Sequence, residues 1–296
     1  MKRMKPEIIV NLNCIIGEGP VYDIGKNILY WIDLIGNKIH AYNLTDQCVT
    51  SMSLDQNVGS IAVRKQGGLV AALQNGFYFV DVLHETIIKI GDPESDKPKN
   101  RFNDGKCDIQ GRFWAGTMCK DLDTGYGDYR PEGALYCLSP DLSYQCKLEG
   151  VILSNGLGWS PDNKTMYFID SPRLTVTGYD YDSISGEIDN PRQVVKIPEL
   201  MGIPDGMCVD EEGMLWVALW GGHAITRWNP SNGQLIDEID LPALNVSSCS
   251  FGGKDLDELY ITTARIGTNT IKYPDAGGIF RIKPGVKGLP AYEFKG

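Results

Sequence analysis

Leu215-Trp-Val-Ala-Leu219 is a short apolar run that follows the turn residues Glu211-Glu-Gly213, and five similar runs occur along the 296-residue chain. The other five are Leu29-Tyr-Trp-Ile-Asp33, Leu69-Val-Ala-Ala-Leu73, Phe113-Trp-Ala-Gly-Thr117, Met166-Tyr-Phe-Ile-Asp170 and Leu259-Tyr-Ile-Thr-Thr263. Short runs of β-branched and aromatic residues bounded by turn residues are typical of β-strands. Their spacing of roughly 40 to 50 residues indicates a structural repeat.

Each of these runs is followed by a second strand-like run, such as Ala134-Leu-Tyr-Cys-Leu138 or Gly278-Ile-Phe-Arg-Ile282. With one strand before the pair and a weaker one after it, each repeat contains four strands, which is typical of a propeller blade. The sequence therefore predicts an all-β fold, a six-bladed β-propeller with four antiparallel strands per blade, occupying residues 1–296 as one domain. The run Glu7-Ile-Ile-Val-Asn11 is predicted to supply the outer strand of the last blade and close the ring.

The overall charge restricts the classes of partner. The chain has 38 acidic and 28 basic residues and a formal net charge of -10, which argues against binding to nucleic acid or to an anionic membrane surface. No apolar run of about 18 residues predicts a transmembrane helix, and no signal peptide is recognisable. The eight cysteines include no C-x-x-C pair, and without a signal peptide we expect them to be reduced thiols in a cytoplasmic protein. The expected partner is a small molecule. The oligomeric state is left open.

One position recurs at the start of every first strand, 10 or 11 residues before the second strand of the same repeat. The six residues at this position are Glu18, Gly59, Asn103, Asn155, Asp205 and Ser248. First strands line the central channel of a propeller, so equivalent positions converge on its axis. Carboxylate and amide oxygens suit hard cations, so Glu18, Asn155 and Asp205 are predicted to form a metal site. The alternative is that Asn155-Gly156 and Asp205-Gly206 only form turns.

Two repeats carry long insertions after their second strand, at residues 118–133 and 264–277. Because the first and second strands are antiparallel, these insertions are predicted to lie on the same face as the convergent polar residues. Long loops over a rigid rim commonly bind ligands, although a plain surface excursion is the alternative. Arg101 precedes Asn103 by two residues, so both side chains point to one side of a strand. Arg101 is therefore a candidate donor to a hydroxylated or anionic ligand, or else a solvated surface residue.

Several enzyme classes lack their motifs here. The sequence contains no G-x-S-x-G, no P-loop and no H-E-x-x-H. The three histidines, His40, His84 and His223, do not occupy the convergent position. A general base in this site would therefore be a carboxylate.

Four segments of the inner strands are distinctive: Gly17-Glu-Gly-Pro-Val21, Arg101-Phe-Asn-Asp-Gly-Lys106, Ser154-Asn-Gly-Leu157 and Pro204-Asp-Gly-Met207. With them the chain resembles the gluconolactonase/regucalcin (senescence marker protein) family of six-bladed β-propeller lactonases, and the likeness extends over roughly residues 14 to 290. The resemblance implies one divalent cation bound by Glu18, Asn155 and Asp205, with Asp205 also acting as the general base. It further implies that Arg101 and Asn103 contact the substrate. Asp121 falls where relatives have a glutamate that contacts sugar hydroxyls.

These observations predict metal-dependent hydrolysis of a sugar (aldono-) lactone to the free sugar acid. The cation would polarise the carbonyl group and activate water. Calcium is the expected metal, and zinc, magnesium and manganese are alternatives that oxygen ligands also accept. Two other functions remain open at this point, a non-catalytic calcium-binding propeller and a propeller hydrolase of non-sugar esters. The polar residues Arg101, Asn103 and Asp121 favour a sugar lactone over an aryl ester.

Overall fold

Six four-stranded antiparallel sheets form a ring in the computed structural model, which describes residues 5–121 and 129–296. Within each of the first five blades, the strands follow one another in chain order from the channel axis outwards. The six-bladed β-propeller predicted from the repeat is therefore confirmed. In the described part of the chain, no helix is long and apolar enough to cross a bilayer. The short 3-10 helices Ser171–Arg173 and Glu199–Met201 contain three residues each.

The strands have the following bounds. The chain begins with β1 (Glu7–Asn11), and blade 1 contains β2 (Gly17–Asp23), β3 (Ile28–Asp33), β4 (Lys38–Asn43) and β5 (Cys48–Ser53). Blade 2 contains β6 (Val58–Val63), β7 (Leu69–Leu73), β8 (Gly76–Asp81) and β9 (Thr86–Gly91). Blade 3 contains β10 (Asn100–Cys107), β11 (Phe113–Cys119), β12 (Gly133–Leu138) and β13 (Tyr144–Val151).

Blade 4 contains β14 (Ser154–Trp159), β15 (Thr165–Asp170), β16 (Thr175–Asp182) and β17 (Glu187–Lys196). Blade 5 contains β18 (Ile203–Val209), β19 (Leu215–Trp220), β20 (Ala224–Asn229) and β21 (Gln234–Asp240). Blade 6 contains β22 (Asn245–Gly252), β23 (Glu258–Ala264) and β24 (Gly278–Ile282), and β1 is its fourth strand.

The last blade is closed by β1, which pairs with β24 in antiparallel register, Glu7 opposite Arg281. The Arg281 Nε donates to Glu7 Oε1 over 2.9 Å and reinforces this register. The prediction that Glu7–Asn11 closes the ring is thus confirmed. β1 therefore pairs with the edge of β24 that would otherwise stay exposed.

The second strands are buried and form most of the core between blades. Trp31, Trp114, Trp216 and Tyr260 all lie on these strands and are fully buried. Segments after β24 cross the end of the channel where the inner strands finish. There Phe294 donates its N–H to the carbonyl of Val63, the last residue of β6, over 2.8 Å. This tail covers one mouth of the channel, so ligands have access from the other.

Two turns between first and second strands share the pattern Asp-x-x-Gly-x-x-Trp, in blades 3 and 5. Asp108 and Asp210 are fully buried and each accepts a hydrogen bond from the tryptophan Nε1 six residues later, over 2.9 and 3.0 Å. An arginine completes each group: the buried Arg112 has its Nε 2.6 Å from Asp108, and the half-buried Arg227 has its Nε 2.7 Å from Asp210. Each carboxylate therefore joins a turn, an aromatic core side chain and an arginine.

Asp210→Ala is expected to lower the free energy of unfolding by about 3–5 kcal/mol, because it leaves Arg227 and the indole N–H of Trp216 without their buried partner. The matched control is Asp180→Ala, which removes an exposed ion pair with Arg192 and should cost less than about 1 kcal/mol. Urea unfolding followed by tryptophan fluorescence measures both. Equal losses for the two variants would contradict this account of the turn.

Candidate functional site

Every inner strand is irregular at or beside the position that converges on the axis. The register shifts lie between Glu18 and Val21, Val58 and Ser60, Phe102 and Gly105, Ser154 and Leu157, Pro204 and Met207, and Val246 and Ser248. A bulge of this kind re-aims side chains that regular alternation would place elsewhere. The six bulges therefore direct the side chains at the convergent positions towards one level of the channel.

These bulged strands pack tightly against one another. A Cβ on Gly59 would lie 2.5 Å from the carbonyl group of Phe102 and 2.7 Å from the carbonyl oxygen of Asn103. Only a glycine allows β6 to approach β10 this closely. Gly59, the small residue at the convergent position of blade 2, thus allows the backbone of β6 to lie directly beside Asn103.

Five predicted residues come together in one cavity of about 230 Å³, at the channel mouth opposite the tail. They are Glu18, Arg101, Asn103, Asn155 and Asp205. All five side chains are more than nine-tenths buried. We call these five residues the polar floor. Both insertions also reach this cavity, through Met118 and Tyr129 of the first and Ile266 of the second. Residues 122–128 of the first insertion lie outside the described residues.

Hydrogen bonds fix the amides of the polar floor. Arg101 Nη1 donates to Asn103 Oδ1 over 2.7 Å, and Asn103 Nδ2 donates to the carbonyl of Ser154 over 2.7 Å. Asn155 Nδ2 donates to Ser171 Oγ over 2.9 Å, and the serine hydroxyl donates to the carbonyl of Pro204 over 2.7 Å. The Asn155 amide is therefore held with its N–H group on Ser171. From the described residues its oxygen accepts a single 3.4 Å contact, from Asn103, and an amide oxygen has a second lone pair for a further ligand.

Negative charge accumulates beneath the cavity. Burial raises the pKa of Glu18 well above its usual value, and the carboxylates of Asp205 and Asp104 raise it further. Burial also raises the pKa of Asp205, and Asp104 adds to this shift, while the Asn155 hydrogen bond and the Arg101 charge oppose it. Carboxylates buried this close to one another are costly unless a cation compensates them.

Asp104 and Ser171 belong to this arrangement, and sequence reasoning missed both. Asp104 follows Asn103, so regular strand alternation would place it on the opposite side, but the bulge in β10 brings its charge close to Glu18 and Asp205. Ser171 follows β15 directly and lines the cavity. The sequence did offer one indication for Ser171. It directly follows a second strand, and the ends of the second strands lie on the same face of the propeller as the convergent residues.

Asp121 lies apart from the polar floor. Its side chain is 60% exposed, its carboxylate is 3.6 Å from Lys99 Nζ, and it is not among the described residues that line the cavity. A contact between Asp121 and a substrate therefore stays a prediction.

The chemistry of the polar floor fits a hard divalent cation. Glu18 and Asp205 supply carboxylate oxygens, Asn155 supplies an amide oxygen, and the adjoining cavity leaves room for water and substrate. Among the described residues, no three His, Cys, Asp or Glu side chains are grouped as metal ligands. The predicted ligand set, Glu18, Asn155 and Asp205, differs from such a group because it contains only two carboxylates and an amide.

Comparisons with known proteins agree with this architecture. The sequence model described as the SMP-30/gluconolactonase/LRE-like region matches residues 16–265. Regucalcin of Oryctolagus cuniculus is 39% identical over 300 residues, covering 100% of both chains. The solved structure of a luciferin-regenerating enzyme has a TM-score of 0.90 and 32% identity, covering 98% of this chain and 99% of that one. A regucalcin of Agrobacterium tumefaciens, described as a calcium-binding protein, has a TM-score of 0.92 and 23% identity, covering 99% and 98%.

Glu18→Gln is expected to raise the thermal stability of the metal-free protein, because it removes one of three neighbouring buried charges. A gain of about 1 kcal/mol corresponds to a rise of roughly 2–4 °C in Tm. The same variant should lose most of the Tm increase that added calcium gives the wild type. Differential scanning fluorimetry with and without calcium measures both effects.

The control is Glu199→Gln, the same substitution at an exposed residue. It should change neither the Tm of the metal-free protein nor the Tm increase that calcium gives. If Glu18→Gln kept the full calcium-dependent shift, Glu18 would not be a cation ligand.

Proposed function

Because the chain belongs to the SMP-30/gluconolactonase/LRE-like family, we propose that it is a hydrolase that opens a lactone with the help of one divalent cation. The substrate class that we propose is a sugar (aldono-) lactone, which yields the free sugar acid. The observation that carries this proposal is the polar floor. There two buried carboxylates, two amides and an arginine line one cavity.

Glu18, Asn155 and Asp205 would hold the cation, and the proposed metal is calcium because all three ligands are oxygens. When bound, a divalent cation at this point supplies Lewis-acid polarisation of the lactone carbonyl. Magnesium, manganese and zinc are the alternatives that a metal titration would separate. The Asn155 Nδ2 group donates to Ser171 Oγ, and the amide oxygen would be the third ligand of the cation.

Asp205 is the proposed general base. It is buried beside the cavity, and a carboxylate with a raised pKa accepts a proton more readily than an exposed one does. In the proposed reaction, Asp205 takes a proton from water as the water oxygen bonds to the carbonyl carbon. The bond from that carbon to the ring oxygen then breaks, and the ring oxygen takes up the proton. The sum is lactone plus water giving one hydroxy acid.

Arg101 and Asn103 are the proposed substrate-orienting residues. The Arg101 guanidinium has five N–H donors in a fixed plane, and it is held by hydrogen bonds to Asn103 Oδ1 and to the carbonyl of Phe102 over 3.0 Å. A donor fixed in this way suits the hydroxyl oxygens of a sugar ring. Asp121 is proposed as a further contact to these hydroxyls from the rim of the cavity.

The first test is hydrolysis of D-glucono-δ-lactone in a pH-stat, corrected for the spontaneous rate. We expect activity that chelator treatment abolishes and that returning calcium restores. Full activity after chelation would contradict the role of the cation. Cation binding without turnover of any lactone or ester would instead identify a non-catalytic calcium-binding propeller.

The roles of Asp205 and Arg101 are expected to separate in steady-state kinetics. At saturating calcium, Asp205→Asn should lower kcat by about 10²–10⁴-fold, because it removes the base. Arg101→Ala should mainly raise KM, since it removes a contact made equally in the bound substrate and in the transition state. A fall in kcat of the same size in both variants would contradict this division.

A further inference from the structure

A second set of equivalent positions surrounds the cavity above the polar floor. The residue that follows each five-residue run of the second strands is Leu34, Gln74, Met118, Ser171, Trp220 or Ala264. Four of these six line the cavity, and three of the four are apolar: Leu34, Met118 and Trp220. Because the same structural position recurs from blade to blade, these side chains stand at one level of the channel mouth.

Six further apolar side chains line the cavity: Ile16, Tyr129, Leu153, Ile203, Pro204 and Ile266. Tyr129 and Ile266 belong to the two insertions, and Ile203 lies at the start of β18. We call the six residues Leu34, Met118, Tyr129, Ile203, Trp220 and Ile266 the apolar collar. Leu34 and Met118 are buried at its base, whereas Ile203 and Tyr129 are 41% and 62% exposed. Exposed apolar side chains are common singly, but here they converge on one cavity.

The charged and amide groups of the cavity all belong to the polar floor. Among the described residues that line it, the other polar side-chain atoms are the hydroxyl of Ser171, which is held by Asn155 and Pro204, and the single polar atoms of Tyr129 and Trp220. A ligand group that extends away from the floor therefore meets isoleucine, tyrosine and tryptophan. An apolar group gains free energy when it is buried against these side chains.

We propose that the apolar collar is a second subsite that binds an alkyl substituent of the lactone, attached to the ring carbon that carries the ring oxygen. This inference rests on the proposed lactonase function and extends its substrate range from sugar lactones to lactones that carry an alkyl substituent. The ester group lies on the polar floor, and the substituent lies against Trp220, Ile203 and Ile266. Hydrolysis then yields a hydroxy acid that carries the alkyl chain on its hydroxyl-bearing carbon.

The test uses a series of γ-lactones whose side chain grows from methyl in γ-valerolactone to pentyl in γ-nonalactone. We expect kcat/KM to rise by up to about fourfold for each methylene that the collar buries, mostly through KM. Trp220→Ala should flatten this dependence on chain length. Ile203→Ser, a change at a partly exposed site with little risk to folding, should also reduce the slope.

Ile271→Ala is the matched control, because Ile271 belongs to the same insertion as Ile266 but is 94% exposed and does not line the cavity. It should leave the slope unchanged. A wild-type slope of zero would overturn the collar proposal while leaving the lactonase proposal intact. An equal loss in Trp220→Ala for all γ-lactones and for D-glucono-δ-lactone would also overturn it, since Trp220 would then pack on the lactone ring itself.

If no lactone is hydrolysed, the proposed function fails, and the collar is tested by binding alone. Isothermal titration with 5-alkyl-2-pyrrolidinones, which resist hydrolysis, measures Kd against chain length in the wild type and in both collar variants. A Kd that falls with chain length only in the wild type supports the subsite. A Kd independent of chain length, or no binding, overturns it.

Discussion

Close approach of six inner strands at the channel axis is the constraint on which the rest of the structure depends. A single Cβ added to Gly59, Gly105, Gly156 or Gly206 would lie between 2.1 and 2.6 Å from an atom of a neighbouring strand. The strands therefore meet backbone to backbone, and regular pleating cannot be kept through this zone. Each inner strand bulges instead, and the bulges direct a few polar side chains to one level. The polar floor is a consequence of how the ring closes.

The repeat made the fold and much of the polar floor predictable. Short strands with a fixed spacing define a blade, and one register applied six times placed Glu18, Asn103, Asn155 and Asp205 at a common level. Asp104 was not predictable in the same way, because its position depends on a bulge that breaks strand alternation. The apolar collar follows the same repeat register, but its members are recognisable only once the cavity shows that Leu34, Met118 and Trp220 share it. Asp121 was placed by resemblance alone, and a loop position depends on packing that no repeat determines.

The buried carboxylates near the channel form two groups that differ in their partners. Asp108 and Asp210 are buried with an arginine and a tryptophan each, so their charges are compensated within the protein. Glu18, Asp104 and Asp205 lie together, and burial raises the pKa of Glu18 and of Asp205 although the charge of Arg101 opposes the shift of Asp205. Such a group is costly for a folded chain, and it is the basis of the cation site that we propose.

The pairing of β1 with β24 has a consequence for biosynthesis. The ion pair at this seam joins residues 274 positions apart. Contacts this distant in sequence form late and slowly. Until the ribosome has synthesised β24, β1 has no strand to pair with. Likewise, Glu18 in blade 1 has no contact with Asp205 until blade 5 has been synthesised. The nascent chain therefore cannot assemble the polar floor blade by blade, and the cation site proposed there would form only when the growing ring nears closure.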